Sequence, residues 1–110
     1  SAEILAGALQ NADRARLVGE PTFGTATVLR TFNLNDGAQV RIGTAQWLTP
    51  KGEVVRGKGI QPDEVVALAP EAVPLTPANA AKLDAQALLS SDDVQLVRAL
   101  EVLNATAHKE

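Results

Sequence analysis

Nucleophilic chemistry in this chain has few side chains to draw on. A serine hydroxyl attacks a carbonyl only when a base takes its proton, and a lysine serves as that base only where burial keeps its amine neutral. The 110-residue sequence has no cysteine, which removes a thiol nucleophile, a disulfide framework and a cysteine-ligated metal. Its single histidine, His108, reads as exposed tail and argues against a zinc site. Lys51 and Lys58 both sit in turn segments and read as solvated loop lysines. Asp36 and Asp63 also lie in turns, where aspartate accepts local backbone hydrogen bonds. Asp92 and Asp93 read as helix-start acids rather than a metal pair. The stretch that carries most information is residues 18–28, Val-Gly-Glu-Pro-Thr-Phe-Gly-Thr-Ala-Thr-Val.

The elements that must position these groups follow an α/β pattern. Apolar spacing from Ile4 predicts a short helix over residues 3–11, stopped by Asn11-Ala12-Asp13. Residues 15–19 are a short apolar run bounded by turn formers, which suits a buried parallel strand after a helix. Residues 26–34 and 38–48 are rich in β-branched side chains and flank Asn35-Asp36-Gly37, the pattern of a β-hairpin. Trp47 reads as a packing anchor for the sheet. A turn at 49–52 precedes a short returning strand at 53–55, and residues 64–67 form one more edge strand. Residues 69–80 are rich in proline and alanine and read as a linker. Beyond it, a weaker helix is expected at 78–89. A firmer one, capped through Ser91-Asp92-Asp93, is expected at 92–104, with Val94, Val97, Leu100, Val102 and Leu103 as its apolar stripe.

Global properties narrow the function classes. With 10 basic and 13 acidic residues and a net charge of −3, the chain lacks the positive field that nucleic acid or an anionic membrane surface requires. No apolar run approaches the roughly 20 residues of a membrane span, and no charged and apolar leader opens the sequence. The helix at 3–11 starts without a preceding strand to anchor it, which reads as a cut within a larger protein. Nothing in the sequence calls for a cofactor.

Residues 18–28 resemble the Gly-Glu-Pro-Thr-Phe-Gly-Lys-Gly signature of the carboxyl-terminal (tail-specific) processing peptidases, serine proteases with a Ser-Lys dyad. Residues 1–9, Ser-Ala-Glu-Ile-Leu-Ala-Gly-Ala-Leu, are similar to the Ser-Ala-Ser-Glu-Ile helix that carries the family nucleophile. Leu34-Asn35-Asp36-Gly37-Ala38 resembles the family's Leu-Ser-Asp-Gly-Ser hairpin, and residues 47–52 resemble its Tyr-Tyr-Thr-Pro-Ser-Gly. Residues 57–63, Gly-Lys-Gly-Ile-Gln-Pro-Asp, are close to its Gly-Lys-Gly-Ile-Glu-Pro-Asp. Ordered motifs across residues 1–68 are far more specific together than any one alone.

The resemblance assigns roles and raises two departures. In the family the nucleophile lies three positions before the glutamate of the helix, an arrangement that also reads as a capping box. Counting back from Glu3 lands one residue before Ser1, so Ser1 matches the following residue, whose backbone N–H helps form the oxyanion hole. An alternative register, in which Ser1 is itself the nucleophile, needs a shift in a gapless alignment. Thr25 stands at the family's lysine position, and a threonine hydroxyl has no useful basicity near neutral pH. Leu29 stands where many members have a glutamine that orients the lysine, and the two losses are expected on one strand face. Asn11 stands where some relatives have an aspartate important for activity.

What the resemblance implies as a whole is a fragment of the ClpP/crotonase-like core of ββα units, with a β-hairpin and a helical C-terminal tail. Residues 1–68 would be the C-terminal part of the catalytic domain, and residues 69–110 the linker and helical tail. The parent would be a serine-type endopeptidase acting on polypeptides, the isolated chain being inactive, or else a peptide-binding pseudoenzyme or structural module. Relatives of this kind are exported, which implies an extracytoplasmic location. Open sheet edges on such a fragment invite pairing between copies, so a homodimer is expected.

Overall fold

Helix α1, Ala2–Asn11, opens the chain in the computed structural model, which describes residues 1–107. Its stop is the expected one. Asp13 adopts φ +52, a left-handed conformation that aspartate tolerates better than most residues. The amides of Asp13 and Arg14 then return to the carbonyls of Gln10 and Leu9 at 3.0 and 2.9 Å. The remaining elements are strands β1 (Val18–Gly19), β2 (Thr27–Asn33), β3 (Gln39–Gln46) and β4 (Glu64–Val65), then helices α2 (Pro77–Ala80), α3 (Ala85–Leu89) and α4 (Val94–Ala107). The mixture of helix and strand bears out an α/β chain.

These elements fall into two compact units. The first comprises residues 1–17 and 21–61, with α1 and the β2–β3 hairpin. The hairpin is antiparallel, pairing Thr27 with Gln46 and Asn33 with Gln39, with a register shift between Val28 and Leu29. Its turn is closed by Leu34 N–H to the Ala38 carbonyl at 2.8 Å and by Ala38 N–H to the Asp36 carboxylate at 3.0 Å. Most of the hairpin is exposed, and the core sits at its base. Ala26, Val55 and Ile60 are buried there, with Leu17 and Trp47 packed against them, so Trp47 does anchor the packing. Gly7 lets α1 approach this core. A Cβ on Gly7 would lie 3.0 Å from the Ile60 Cδ1.

The expected strand at 53–55 shrinks to a single bridge, Leu48 to Val54. Thr49 is the reason. Its amide donates to the Glu53 carbonyl at 3.0 Å, its carbonyl accepts from Gly52 at 2.8 Å, and its hydroxyl accepts from Glu53 N–H at 3.2 Å. That closes the chain into a tight turn and leaves no extended run.

The second unit comprises residues 18–20 and the described residues from 62 onward. The strand expected at 15–19 is realised only as β1, parallel to β4 with Val18 opposite Glu64 and Gly19 opposite Val65. Its partner is only two residues long, so the ladder has nothing further to pair with. Helix α4 holds β4 and the residue after it, through Arg98 Nε to the Glu64 carboxylate at 2.7 Å and Gln95 Nε2 to the Val66 carbonyl at 2.8 Å. The helix expected at 78–89 is two helices, each with its own cap. Thr76 Oγ1 accepts from Asn79 N–H at 3.3 Å, and Asp84 Oδ1 accepts from Ala87 N–H at 2.8 Å. Asp93 is a helix-start acid as expected. It is buried, with one carboxylate oxygen accepting from Leu96 N–H at 2.9 Å and the other from Leu75 N–H at 2.8 Å. His108 lies outside the described residues.

Candidate active site

Two glycine-containing loops, residues 21–25 and 56–61, build the ground beneath the candidate site. Thr22 N–H donates to the Ile60 carbonyl at 3.1 Å, and Ile60 N–H donates back to Thr22 Oγ1 at 2.8 Å. Gly57 N–H donates to the Gly24 carbonyl at 2.9 Å. The backbones come so close that a Cβ on Gly59 would lie 1.8 Å from the Thr22 carbonyl oxygen. Gly59 also has φ +72, where only glycine sits without strain. Two parts of the family pattern that are 38 residues apart are therefore one structural object.

Glu3 ties that object to the start of α1. Its Oε1 accepts from the Thr22 hydroxyl at 2.6 Å and from Gly24 N–H at 2.5 Å. The Thr22 hydroxyl chiefly holds the Glu3 carboxyl below the ordinary glutamate range, partial burial opposes this, and the amides of Gly24, Ala26 and Thr25 reinforce it. Successive amides converging on one carboxylate make an anion-binding nest. The sequence reading missed this role, because a glutamate in the first turn of a helix reads as a capping residue. Ser1 is the N-cap of α1 and its side chain makes no capping hydrogen bond, while the carboxylate of Glu3 is committed to the loop. The available signal was Thr22-Phe23-Gly24, whose donors need an acceptor.

The sign of the pH effect follows. A carboxyl whose pKa is lowered on folding stabilises the fold fully above its unfolded value, near 4.3, and loses that contribution as pH falls through the folded value. Glu3→Gln is therefore expected to flatten the acid limb of the stability profile below about pH 4.3, read as urea midpoints across pH. An unchanged acid limb in the variant would mean that Glu3 titrates alike in the folded and unfolded chain.

The structure places Ser1 at the exposed N-terminal end of α1 and Thr25 in the exposed loop directly after Gly24. Glu3 joins the segments that carry them. The Thr25 carbonyl accepts from Thr27 Oγ1 at 2.8 Å, and Ala26, next in the chain, has φ +36. Strand β2 begins only at Thr27, and a register shift follows Val28. Thr25 and Leu29 are therefore not on one strand face as the spacing suggested. The positive φ and the bulge interrupt the alternation that the expectation assumed. Lys51 and Lys58 are exposed in turns, as read. Asn11 Oδ1 accepts from Lys51 N–H at 3.1 Å, so it fastens the 49–52 turn to the end of α1. Among the described residues, no group of three or more His, Cys, Asp or Glu could hold a metal ion.

A sequence model of peptidase family S41 matches residues 1–66, the span that holds α1, the hairpin and both interlocked loops. The chain belongs to peptidase family S41. This S41 chain is 40% identical over 112 aligned residues to a carboxyl-terminal-processing protease of Synechocystis sp., a match covering 99% of the chain and 23% of that protein. It is 48% identical over 66 residues to the carboxyl-terminal-processing protease of Picosynechococcus sp., covering 60% of the chain and 16% of that protein. Among solved structures it is similar to a photosystem II D1 C-terminal processing protease, with a TM-score of 0.64 and 30% identity over 87% of the chain and 23% of that protein. The S41 chain thus spans under a quarter of the length of these relatives. Among the described residues, no helix is long and apolar enough to cross a membrane.

Proposed function

We propose that this chain is the C-terminal part of the catalytic domain of a serine-type carboxyl-terminal processing endopeptidase, which cleaves polypeptides by acyl transfer to a serine. Residues 1–68 carry the catalytic portion, on a ClpP/crotonase-like core, and residues 69–110 form the linker and helical tail. The attacking serine belongs to the position before Ser1 in the longer protein, and the Ser1 backbone N–H contributes to the oxyanion hole. The observation that carries this reading is the Glu3 carboxylate holding Thr22 and Gly24. It fixes the start of α1 and the loop bearing residue 25 to each other, the coupling that a dyad on those two segments needs.

Thr25 cannot take the proton from the serine, so the base in the parent is another group, and the isolated chain does not hydrolyse peptide bonds. The same substitution favours a second reading, a pseudoenzyme that binds a polypeptide without cutting it. The family resemblance implies an extracytoplasmic site of action, and the open edges of the two-stranded sheets suit pairing between two copies. The full-length protein, given an unstructured polypeptide and a serine-directed phosphonate, separates the two readings. Labelling at the serine before Ser1 together with cleavage supports the peptidase. Polypeptide binding without labelling leaves the pseudoenzyme.

A further inference from the structure

Helix α1 is held against the 56–61 loop at two points on one face. Glu3 and Gly7 stand at i and i+4, which places them one above the other on the helix. At Gly7 the helix lies so close to the loop that an added Cβ would be 3.0 Å from Ile60 Cδ1, and Ile60 belongs to the buried core. At Glu3 the hold is polar and passes through Thr22, whose hydroxyl donates to Glu3 Oε1 at 2.6 Å and accepts from Ile60 N–H at 2.8 Å. A helix touching its support at Gly7 alone can pivot about that contact. The second hold removes the pivot, and it falls in the first turn, beside the end that Ser1 caps.

A hydroxyl is suited to this place because it has one proton and two acceptor sites. The Ile60 amide fills an acceptor site, which leaves the proton for Glu3, and accepting from the amide polarises the O–H toward the carboxylate. The 2.6 Å separation is that of a charge-assisted bond. Thr22 is also the largest influence holding the Glu3 carboxyl below its ordinary range, and no charged side chain shares in it. We propose that Thr22 is a positioning residue, whose hydroxyl sets the angle of α1 on the 56–61 loop and with it the aim of the serine before Ser1 and of the Ser1 N–H. This deepens the peptidase reading given above and rests on it.

The test compares Thr22→Val, which keeps the shape and loses the hydroxyl, with Thr22→Ser, which keeps the hydroxyl, in the full-length protein. Thr49→Val is the control, because the Thr49 hydroxyl also makes two bonds, to the amide and the carboxylate of Glu53 within its own turn. Two quantities are read, the rate of phosphonate labelling at the serine before Ser1 and the pH midpoint of the Gly24 amide resonance, which reports the Glu3 carboxylate it donates to. Thr22→Val is expected to slow labelling about 100-fold, the cost of a displacement of about 1 Å, and to raise the Gly24 midpoint toward the ordinary glutamate range. Thr22→Ser and Thr49→Val should leave both close to wild type, and polypeptide binding should be alike in all forms. Undiminished labelling in Thr22→Val overturns the proposal, as does slower labelling with an unmoved midpoint. An equal fall in Thr22→Ser or in Thr49→Val also overturns it, because the methyl group or general stability would then be responsible. A Gly24 midpoint at the ordinary glutamate value in wild type does so without any variant. Wild type that is not labelled at all sinks the peptidase reading, and the midpoint then decides alone. Raised in Thr22→Val and unmoved in Thr49→Val, it keeps the hold of Thr22 on α1, and unmoved in both it removes that hold.

Discussion

Gly59→Ala is expected to cost about 4 kcal/mol or more, a large part of the stability of a small domain. The added Cβ would lie 1.8 Å from the Thr22 carbonyl oxygen and 2.6 Å from its carbon, both backbone atoms that no rotamer change can move. The left-handed conformation at φ +72 adds about 1–2 kcal/mol for any residue with a side chain. Gly57 provides the internal comparison. It has φ +74, yet a Cβ there meets nothing within 4 Å, so Gly57→Ala should cost only the conformational penalty of about 1–2 kcal/mol. Urea denaturation of the two variants checks the difference, and equal losses would mean that the loops separate at little expense. Gly59→Ala should also release Thr22 from Glu3 and so undo the coupling on which the candidate site depends.

Thr25→Lys in the full-length protein is expected to raise the rate of phosphonate labelling about 100-fold or more, the low end of what a positioned general base supplies. Thr25→Ala is expected to leave the rate within about twofold, because a threonine hydroxyl contributes no basicity for alanine to remove. The gain should grow with pH as the new amine loses its proton, so the pH profile identifies lysine as the acting base. Two other results would decide against the proposed role of position 25. A large loss in Thr25→Ala would make the native hydroxyl part of the chemistry, and no gain in Thr25→Lys would mean that a side chain at position 25 does not reach the serine.

Local chemistry was legible in the sequence wherever one segment decides its own conformation. Asn35-Asp36-Gly37 dictates a hairpin turn, Asp13 ends α1, and Asp93 starts α4, and each is found where its side chain predicts. The family pattern, too, could be read directly, because its motifs are contiguous. What the sequence hid depends on partners far along the chain. The strand at 15–19 is cut short by the length of β4, and Thr49 closes a turn where a third strand was expected. Alternation from Thr25 to Leu29 fails at Ala26 and at the bulge, a backbone irregularity that no side-chain pattern reports. Glu3 was invisible as a clamp because the donors to its carboxylate begin at Thr22, 19 residues along the chain.

The pairing of the 21–25 and 56–61 loops bears on the order in which the chain folds. The hairpin closes locally and can form within microseconds, whereas Thr22 must find Ile60 across 38 positions and Glu3 must find Gly24 across 21. Contacts of such separation pay the closure entropy of the intervening chain before they return anything. The site is thereby assembled among the last events of folding, and pulse-labelled hydrogen exchange should protect the amide of Ile60 after those of Arg30 and Ile42. Protection of Ile60 first would reverse that order. A chain in which folding stalled would present the hairpin and lack the site, so the closed Glu3 clamp becomes a mark of the finished molecule.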